Sequence, residues 1–237
     1  MQREIVIDSR RALTRVFVER FEAEARVAHD RERFACAVPG GSVAEAFFPA
    51  LRAARADWGH VEVFFTDERA VPPGDPASNA GLARALWLNH VPIDPARLHP
   101  MPAGRPDLDA AAEDYAREMA RVLGDPPRLD LALLGAGPDG HVCSLFPGHA
   151  ALGERARFVV AVTRAPKPPP RRMTLTLPVL AAARGIVIAA FGAGKAAAVR
   201  EAIEDPESAL PVARAARCGP PVLFLLDPPA ASGLGSR

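Results

Sequence analysis

Lysine is nearly absent from this chain. Of its 29 basic residues only Lys167 and Lys195 are lysines, in a sequence otherwise rich in arginine, alanine and proline. Such a bias acts on the whole chain, so it weakens inference from any single arginine and slightly strengthens inference from a lysine. Cysteine is scarce as well: Cys36, Cys143 and Cys218 are odd in number and far apart, which argues against a disulfide framework and against a Cys-x-x-Cys metal site. A charge excess is also missing. With a formal net charge of +1 there is no electrostatic case for nucleic acid or an anionic membrane as a partner, and any basic site must be local. No apolar run approaches the roughly 20 residues that span a bilayer, and residues 1–8 lack the apolar core of a signal peptide. A cytoplasmic protein is expected. No internal repeat, long linker or change of composition marks a second domain, so residues 1–237 are expected to form a single α/β domain with a full core. Residues 228–237 read as a loose tail.

What the chain does have is a series of short apolar runs that end in glycine. The richest stretch, residues 128–149, reads R-L-D-L-A-L-L-G-A-G-P-D-G-H-V-C-S-L-F-P-G-H. The run over 129–134 is too short for a helix and predicts a buried parallel strand. The turn at 135–140 then holds Asp139 and His141 in the crevice beyond the strand ends, where open α/β sheets bind their ligands. A His placed there is a candidate base. Gly135, Gly137 and Gly140 also match the spacing of a dinucleotide fingerprint. Yet Pro147 and Gly148 are poor helix formers, and 159–161 read Val-Val-Ala, with no acid where a ribose partner would stand. Both departures count against a nucleotide cofactor.

The pattern of strand, glycine turn and helix recurs. A strand over 34–38 ends in Pro39-Gly40-Gly41-Ser42, and a helix is expected from 43 to about 56. Free N–H groups at that helix start form an anion site, with Ser42 as N-cap or as a phosphate donor; the plain alternative is an ordinary N-cap. No Gly-Lys-Ser/Thr ending of a nucleotide loop follows. A strand over 61–66 delivers Asp67, Glu68 and Arg69 at its end to the crevice, ahead of a long Pro-rich loop to 78–79. A helix over about 81–89, a short strand over 97–101 and a helix over 108–123 are expected next. Beyond a strand over 157–162, Pro168-Pro169-Pro170 stiffens the approach to Arg172. A strand over 185–191 ends in Gly192-Ala193-Gly194-Lys195 and opens a helix over 196–204. Lys195 in a first turn opposes the helix dipole, a cost that a bound anion would offset. A short strand over 5–7, a helix over 9–29 capped by Ser9 and a last strand over 222–226 complete the reading. Helix N–H groups, Lys195 and Arg172 suit a phosphate, at roughly 1.5–3 kcal/mol per charge-assisted hydrogen bond. His141 with Asp67 and Arg69 suits acid–base work on a neutral part of the same ligand.

Five motifs occur in order over about residues 34–227. They are Val38-Pro39-Gly40-Gly41-Ser42, Thr66-Asp67-Glu68-Arg69 with Ser78-Asn79, the stretch from Gly135 through His141 to His149, the segment Pro168-Pro169-Pro170-Arg171-Arg172 with Met173-Thr174-Leu175-Thr176-Leu177-Pro178, and Gly192-Ala193-Gly194-Lys195. Together they resemble the 6-phosphogluconolactonase branch of the glucosamine-6-phosphate isomerase/6-phosphogluconolactonase family. The resemblance implies a single domain of modified Rossmann-like, doubly wound architecture: a mostly parallel sheet with helices on both faces. It further implies hydrolysis of 6-phosphoglucono-1,5-lactone to 6-phosphogluconate, the second step of the oxidative pentose phosphate pathway, without metal or organic cofactor. The partner would be a small sugar-phosphate lactone, and the protein a monomer or weak homo-oligomer.

Carried onto this sequence, the resemblance has Gly40, Gly41, Ser42, Arg172 and Lys195 grip the phosphate while His141 takes a proton from the attacking water. Charge built on the lactone oxygen needs stabilisation, for which Arg69 and N–H groups of the 135–140 turn are the candidates. Asp139 would orient His141 and Asp67 would position water or a sugar hydroxyl. His149 is read either as lining the ring pocket or as a structural residue of a Pro-Gly-His turn. The deaminase branch carries a Phe-Asn-Glu segment after Asp-Gly-His and a Tyr after Asp-Glu. Here Ser144-Leu145-Phe146-Pro147-Gly148-His149 and Arg69 stand instead, which favours the lactonase. A sugar-phosphate sensor is the rival of another class, but only one helix precedes the first main strand, too little for a helix-turn-helix.

Overall fold

The computed structural model describes residues 2–29 and 31–235. The chain runs β1 (Arg3–Ile7), α1 (Arg10–His29), β2 (Phe34–Val38), α2 (Gly41–Leu51), β3 (Val61–Phe65), β4 (Asp67–Arg69), α3 (Asn79–Leu86) and α4 (Leu108–Leu123). It continues through β5 (Leu131–Gly135), β6 (Val159–Val162), β7 (Arg172–Leu175), α5 (Leu177–Ala182), β8 (Ile186–Ala190), α6 (Ala196–Glu204), α7 (Pro211–Ala216), β9 (Val222–Leu226) and α8 (Pro228–Ala231). Six strands form one sheet in the order β1-β9-β8-β5-β2-β3, and every neighbouring pair is parallel. All residues of β2, β3, β8 and β9 are buried, so both faces of the sheet are covered, as a doubly wound α/β fold requires.

Helix patterning explains the cover. In α1, Leu13, Phe17 and Phe21 recur at spacings of four and are at most 1% exposed, and Ser9 accepts from the Ala12 N–H at 3.4 Å. Phe17 stacks on Phe47 of α2 at 4.7 Å between ring centroids, so the two helices share one apolar seam. Each buried aromatic of this kind contributes about 1.5–3 kcal/mol of transfer free energy. The stripe of α4, with Ala111, Ala112, Tyr115 and Met119 buried, starts where Asp107 accepts from the Ala110 N–H and stops at Gly124.

Between β2 and β5 the winding reverses. From β2 the chain steps outward to β3, whereas from β5 it steps the other way to β8 and β9. The carboxyl ends of β2 and β5 therefore flank the topological switch point, where parallel α/β sheets open a binding crevice.

Four local expectations need correction. Asp67, Glu68 and Arg69 do not simply end the strand before them: they form β4 in a second, antiparallel sheet of order β4-β7-β6, held where Leu175 N–H donates to Thr66 O and Ala70 N–H to Arg171 O. Residues 97–101 are not a strand; Asp94 caps a short 3-10 turn, Pro95–Arg97, and only Leu98 bridges to Val63. Helix α2 begins at Gly41 with Gly40 as N-cap, so Ser42 lies inside the first turn and is not the cap. The expected loose tail is in part α8, capped by the Asp227 carboxylate and seated with Ala230 fully buried; residues 236–237 lie outside the described residues. Among the described residues no helix is long and apolar enough to cross a membrane.

Candidate active site

A cavity occupies the switch point. Its walls come from the β2–α2 turn (Gly40, Gly41, Ser42), from Asp67 and Arg69 of β4, from the β5 turn with His141, from Arg172 of β7 and from Lys195 ahead of α6. Eight of the ten expected site residues thus line one space, and Asp139 stands directly behind His141. Three cations, Arg69, Arg172 and Lys195, face it against one carboxylate, Asp67, a balance suited to a doubly charged anion.

The candidate anion cradle is built by close packing. A Cβ at Gly40 would sit 1.8 Å from Asn79 Oδ1, so only glycine lets the turn approach the Asn79 amide. Asn79 donates in turn to Asp67 O at 2.8 Å and to Asp67 Oδ1 at 3.2 Å, linking the cradle to the acid wall. No side chain caps the start of α2, which leaves its first N–H groups for a ligand. Lys195 sits in the 3-10 turn Ala193–Lys195, and burial followed by the charge of Lys167 pushes its pKa down. A bound phosphate would reverse that pressure.

Arg172 is 4% exposed and already committed. Its Nε donates to Pro169 O at 2.9 Å, its Nη2 to Lys167 O and Pro168 O at 3.0 and 3.2 Å, and its Nη1 to Ser144 Oγ at 3.4 Å. Asp67 Oδ2 lies 4.0 Å from Nη1. The guanidinium therefore holds the proline loop in place and presents one remaining N–H to the cavity. Arg69, its partner across the β4–β7 ladder, donates from Nη1 to Ala77 O at 2.8 Å, while its buried Nε has no protein partner among the described residues. Leaving such a buried donor unpaired costs about 1–3 kcal/mol.

The acid–base pair is compact. His141 Nδ1 lies 2.6 Å from Asp139 Oδ1, which fixes the Nδ1–H tautomer and leaves Nε2 as the acceptor. A Cβ at Gly137 would fall 2.0 Å from His141 Nδ1 and 2.6 Å from Asp139 Oδ1, so the glycine is what lets the pair close. Burial lowers the His141 pKa against the opposing pull of Asp139. Partial burial works against Asp139 ionising, but the hydrogen bond and charge of His141, with Lys167, hold its carboxyl at about 2. At neutral pH the pair is a neutral imidazole on a carboxylate.

Asp67 is buried and accepts from Ser144 Oγ at 2.6 Å; the Ser144 N–H itself donates to Thr174 Oγ1 at 3.0 Å. Two readings left open by the sequence narrow here, the oxyanion donors and the role of His149, which takes the structural alternative. The N–H groups of Ala136, Gly137 and Gly140 are taken by the carbonyls of Ala189, His141 and Gly137, so that turn supplies no oxyanion donors from them and Arg69 remains the candidate. His149 lies outside the cavity lining; its Nδ1 accepts from the Ala151 N–H at 3.1 Å and caps a 3-10 turn, because the Pro-Gly turn before it directs the ring back to its own backbone. Sequence reasoning assigned no role to Asn79, Ser144 or Lys167. Asn79 and Ser144 stand inside two of the five motifs, and Lys167 carried the rarity of lysine.

A family model described as glucosamine-6-phosphate isomerases/6-phosphogluconolactonase matches residues 8–223. The chain belongs to that family. Relatives within it include the 6-phosphogluconolactonase of Rattus norvegicus, 44% identical over 191 residues that span 78% of this chain and 74% of its own. That of Homo sapiens is 41% identical over 83% of this chain and 78% of its own, and that of Mycobacterium tuberculosis 43% identical over 83% of each. The solved 6-phosphogluconolactonase from Trypanosoma cruzi superposes with a TM-score of 0.88 at 27% identity, covering 100% of this chain and 99% of its own. The family's other branch shares the fold: a monomeric glucosamine-6-phosphate deaminase superposes with a TM-score of 0.75 at 21% identity over 98% and 100% of the chains.

Proposed function

We propose that this protein hydrolyses 6-phosphoglucono-1,5-lactone to 6-phosphogluconate, the second step of the oxidative pentose phosphate pathway, with His141 as the base. The coarser statement, a lactonase and so a carboxylic ester hydrolase, rests on the relatives just described. The finer one rests on a single observation: the neutral His141 imidazole, held on the Asp139 carboxylate, shares its cavity with an uncapped helix start and three cations. The phosphate binds at Gly40, Gly41, Ser42 and Lys195, and the remaining N–H of Arg172 reaches the ligand from the side. Held there, the lactone carbonyl lies between His141 and Arg69. His141 Nε2 takes a proton from water as the C–O bond forms, and Arg69 stabilises the developing oxyanion. Collapse breaks the bond from C1 to the ring oxygen, and Nε2–H returns the proton to that leaving oxygen. The new carboxylic acid then ionises to solvent. Asp67, fixed by Asn79 and Ser144, positions the water or a sugar hydroxyl.

The same reading has the protein act in the cytoplasm on this small molecule alone, as a monomer or weak homo-oligomer. Loss of freshly generated phosphogluconolactone, timed against its spontaneous decay and beside unphosphorylated gluconolactone, tests it. Acceleration confined to the phosphorylated lactone is expected. If the protein binds 6-phosphogluconate yet leaves the decay rate unchanged, it is a sensor and the lactonase reading fails.

A further inference from the structure

Lys167 stands behind the acid–base pair, outside the cavity lining. Its Nζ donates to Asp139 Oδ1 at 3.1 Å and lies 3.5 Å from His141 Nδ1, so one carboxylate oxygen serves both the ammonium and the imidazole N–H. The loop that carries it is pinned by the buried Arg172, which takes the carbonyls of Lys167, Pro168 and Pro169, while Ala165 N–H donates to Pro170 O at 2.9 Å. The backbone that carries Lys167 is therefore fixed, while its side chain is 39% exposed. In a protein where 27 of 29 basic residues are arginine (29 less the two lysines), both lysines stand at this site. An ammonium is compact enough to share one oxygen with a histidine, whereas a guanidinium forks over two.

Building on the lactonase reading, we propose that Lys167 is a positioning residue that sets the charge of the Asp139–His141 pair: it offsets the carboxylate so that Nε2 stays free before attack and gives its proton back after it. A carboxylate alone favours imidazolium; an added ammonium removes most of that bias. Before attack the three groups sum to zero charge, and with the water proton on Nε2 they sum to +1. The second state is a stronger acid with Lys167 present than without it. That acidity matters because the leaving group of lactone opening is an alkoxide, which must be protonated as the C–O bond breaks. The other charged or titratable groups facing His141 are Asp67, Arg69, Cys143, Arg172 and Lys195 across the cavity. Asp67 favours the imidazolium, and Lys167, with Nζ 3.5 Å from Nδ1, opposes it.

The test follows the His141 imidazole by NMR through a pH titration in the wild type, Lys167→Met and Lys167→Arg, with His141→Gln to assign the signal. In Lys167→Met the imidazole is expected to titrate at higher pH, and the acid limb of kcat/KM to move up with it. At the pH plateau kcat should fall about tenfold while KM stays within about threefold, and Lys167→Arg should restore the titration at least in part. An unmoved His141 titration in a folded Lys167→Met protein, or an equal loss at every pH, would overturn the proposal. Because the titration needs no substrate, it stands apart from the lactonase reading: a wild type that fails to open the lactone sinks that reading and leaves the Lys167 result to be judged alone. Should Lys167→Met not fold, Lys167→Gln takes its place in the same titration.

Discussion

At the residue scale the site depends on two contacts that only glycine permits. Gly137→Ala would place a methyl carbon against the His141 ring and the Asp139 carboxylate, so the pair must open. Steady-state kinetics of that variant should show kcat reduced by about 100-fold, within the range that acid–base catalysis contributes, with the fold retained by circular dichroism. A full-rate enzyme would show that the 2.6 Å contact does not matter to turnover. The pH profile follows from the direction of the His141 shift. Burial makes the imidazolium harder to form, so the base is protonated, and kcat/KM lost, only as pH falls below the ordinary His value of about 6.5. The sign is the same for stability: with the folded pKa depressed, the contribution is present above the unfolded value and is lost as pH falls through the folded one. An acid limb above about pH 7 would contradict this assignment.

At the element scale, the C-terminal helix and the Lys195 turn share one carboxylate. Asp227 Oδ1 accepts from the Ala230 N–H at 2.9 Å, capping α8, and from the Gly192 N–H at 2.8 Å, where the turn to Lys195 begins. Asp227→Ala should cost about 0.5–2 kcal/mol as a lost cap, seen as a lower Tm, and should raise KM for the phosphorylated substrate more than it lowers kcat. An unchanged KM would detach Asp227 from the phosphate site. What the sequence makes legible divides along the same lines. Strands β2, β5, β8 and β9 are continuous apolar runs closed by glycine or proline, and each can be found from its own few residues. β4 cannot, because three residues carry no period and their partner, β7, lies about a hundred positions further along. Ser42 looks like a cap from its residue type, yet Gly40 ends the extended chain first. Lys167 meets the pair only because Arg172 gathers the proline loop, a long-range fact that no local pattern encodes. The α8 helix hides in Pro-Pro-Ala-Ala, where proline at the first turn is a start signal easily taken for a disordered tail.

At the scale of the whole molecule, the doubly wound sheet brings residues from positions 40, 67, 141, 172 and 195 to one crevice because the winding reverses between β2 and β5. On the proposed function, phosphate grip and proton transfer fall to different strand ends: the glycine turns of β2 and β8 would hold the phosphate, and the turn of β5 would hold the base. Such a division predicts that binding and chemistry separate on mutation. The decisive measurement is the kcat of His141→Gln on phosphogluconolactone, with the Kd for 6-phosphogluconate measured on the same protein. The account predicts a kcat lower by roughly 10²–10⁴ with Kd within about threefold of wild type, and turnover near the wild-type rate in that variant would contradict it.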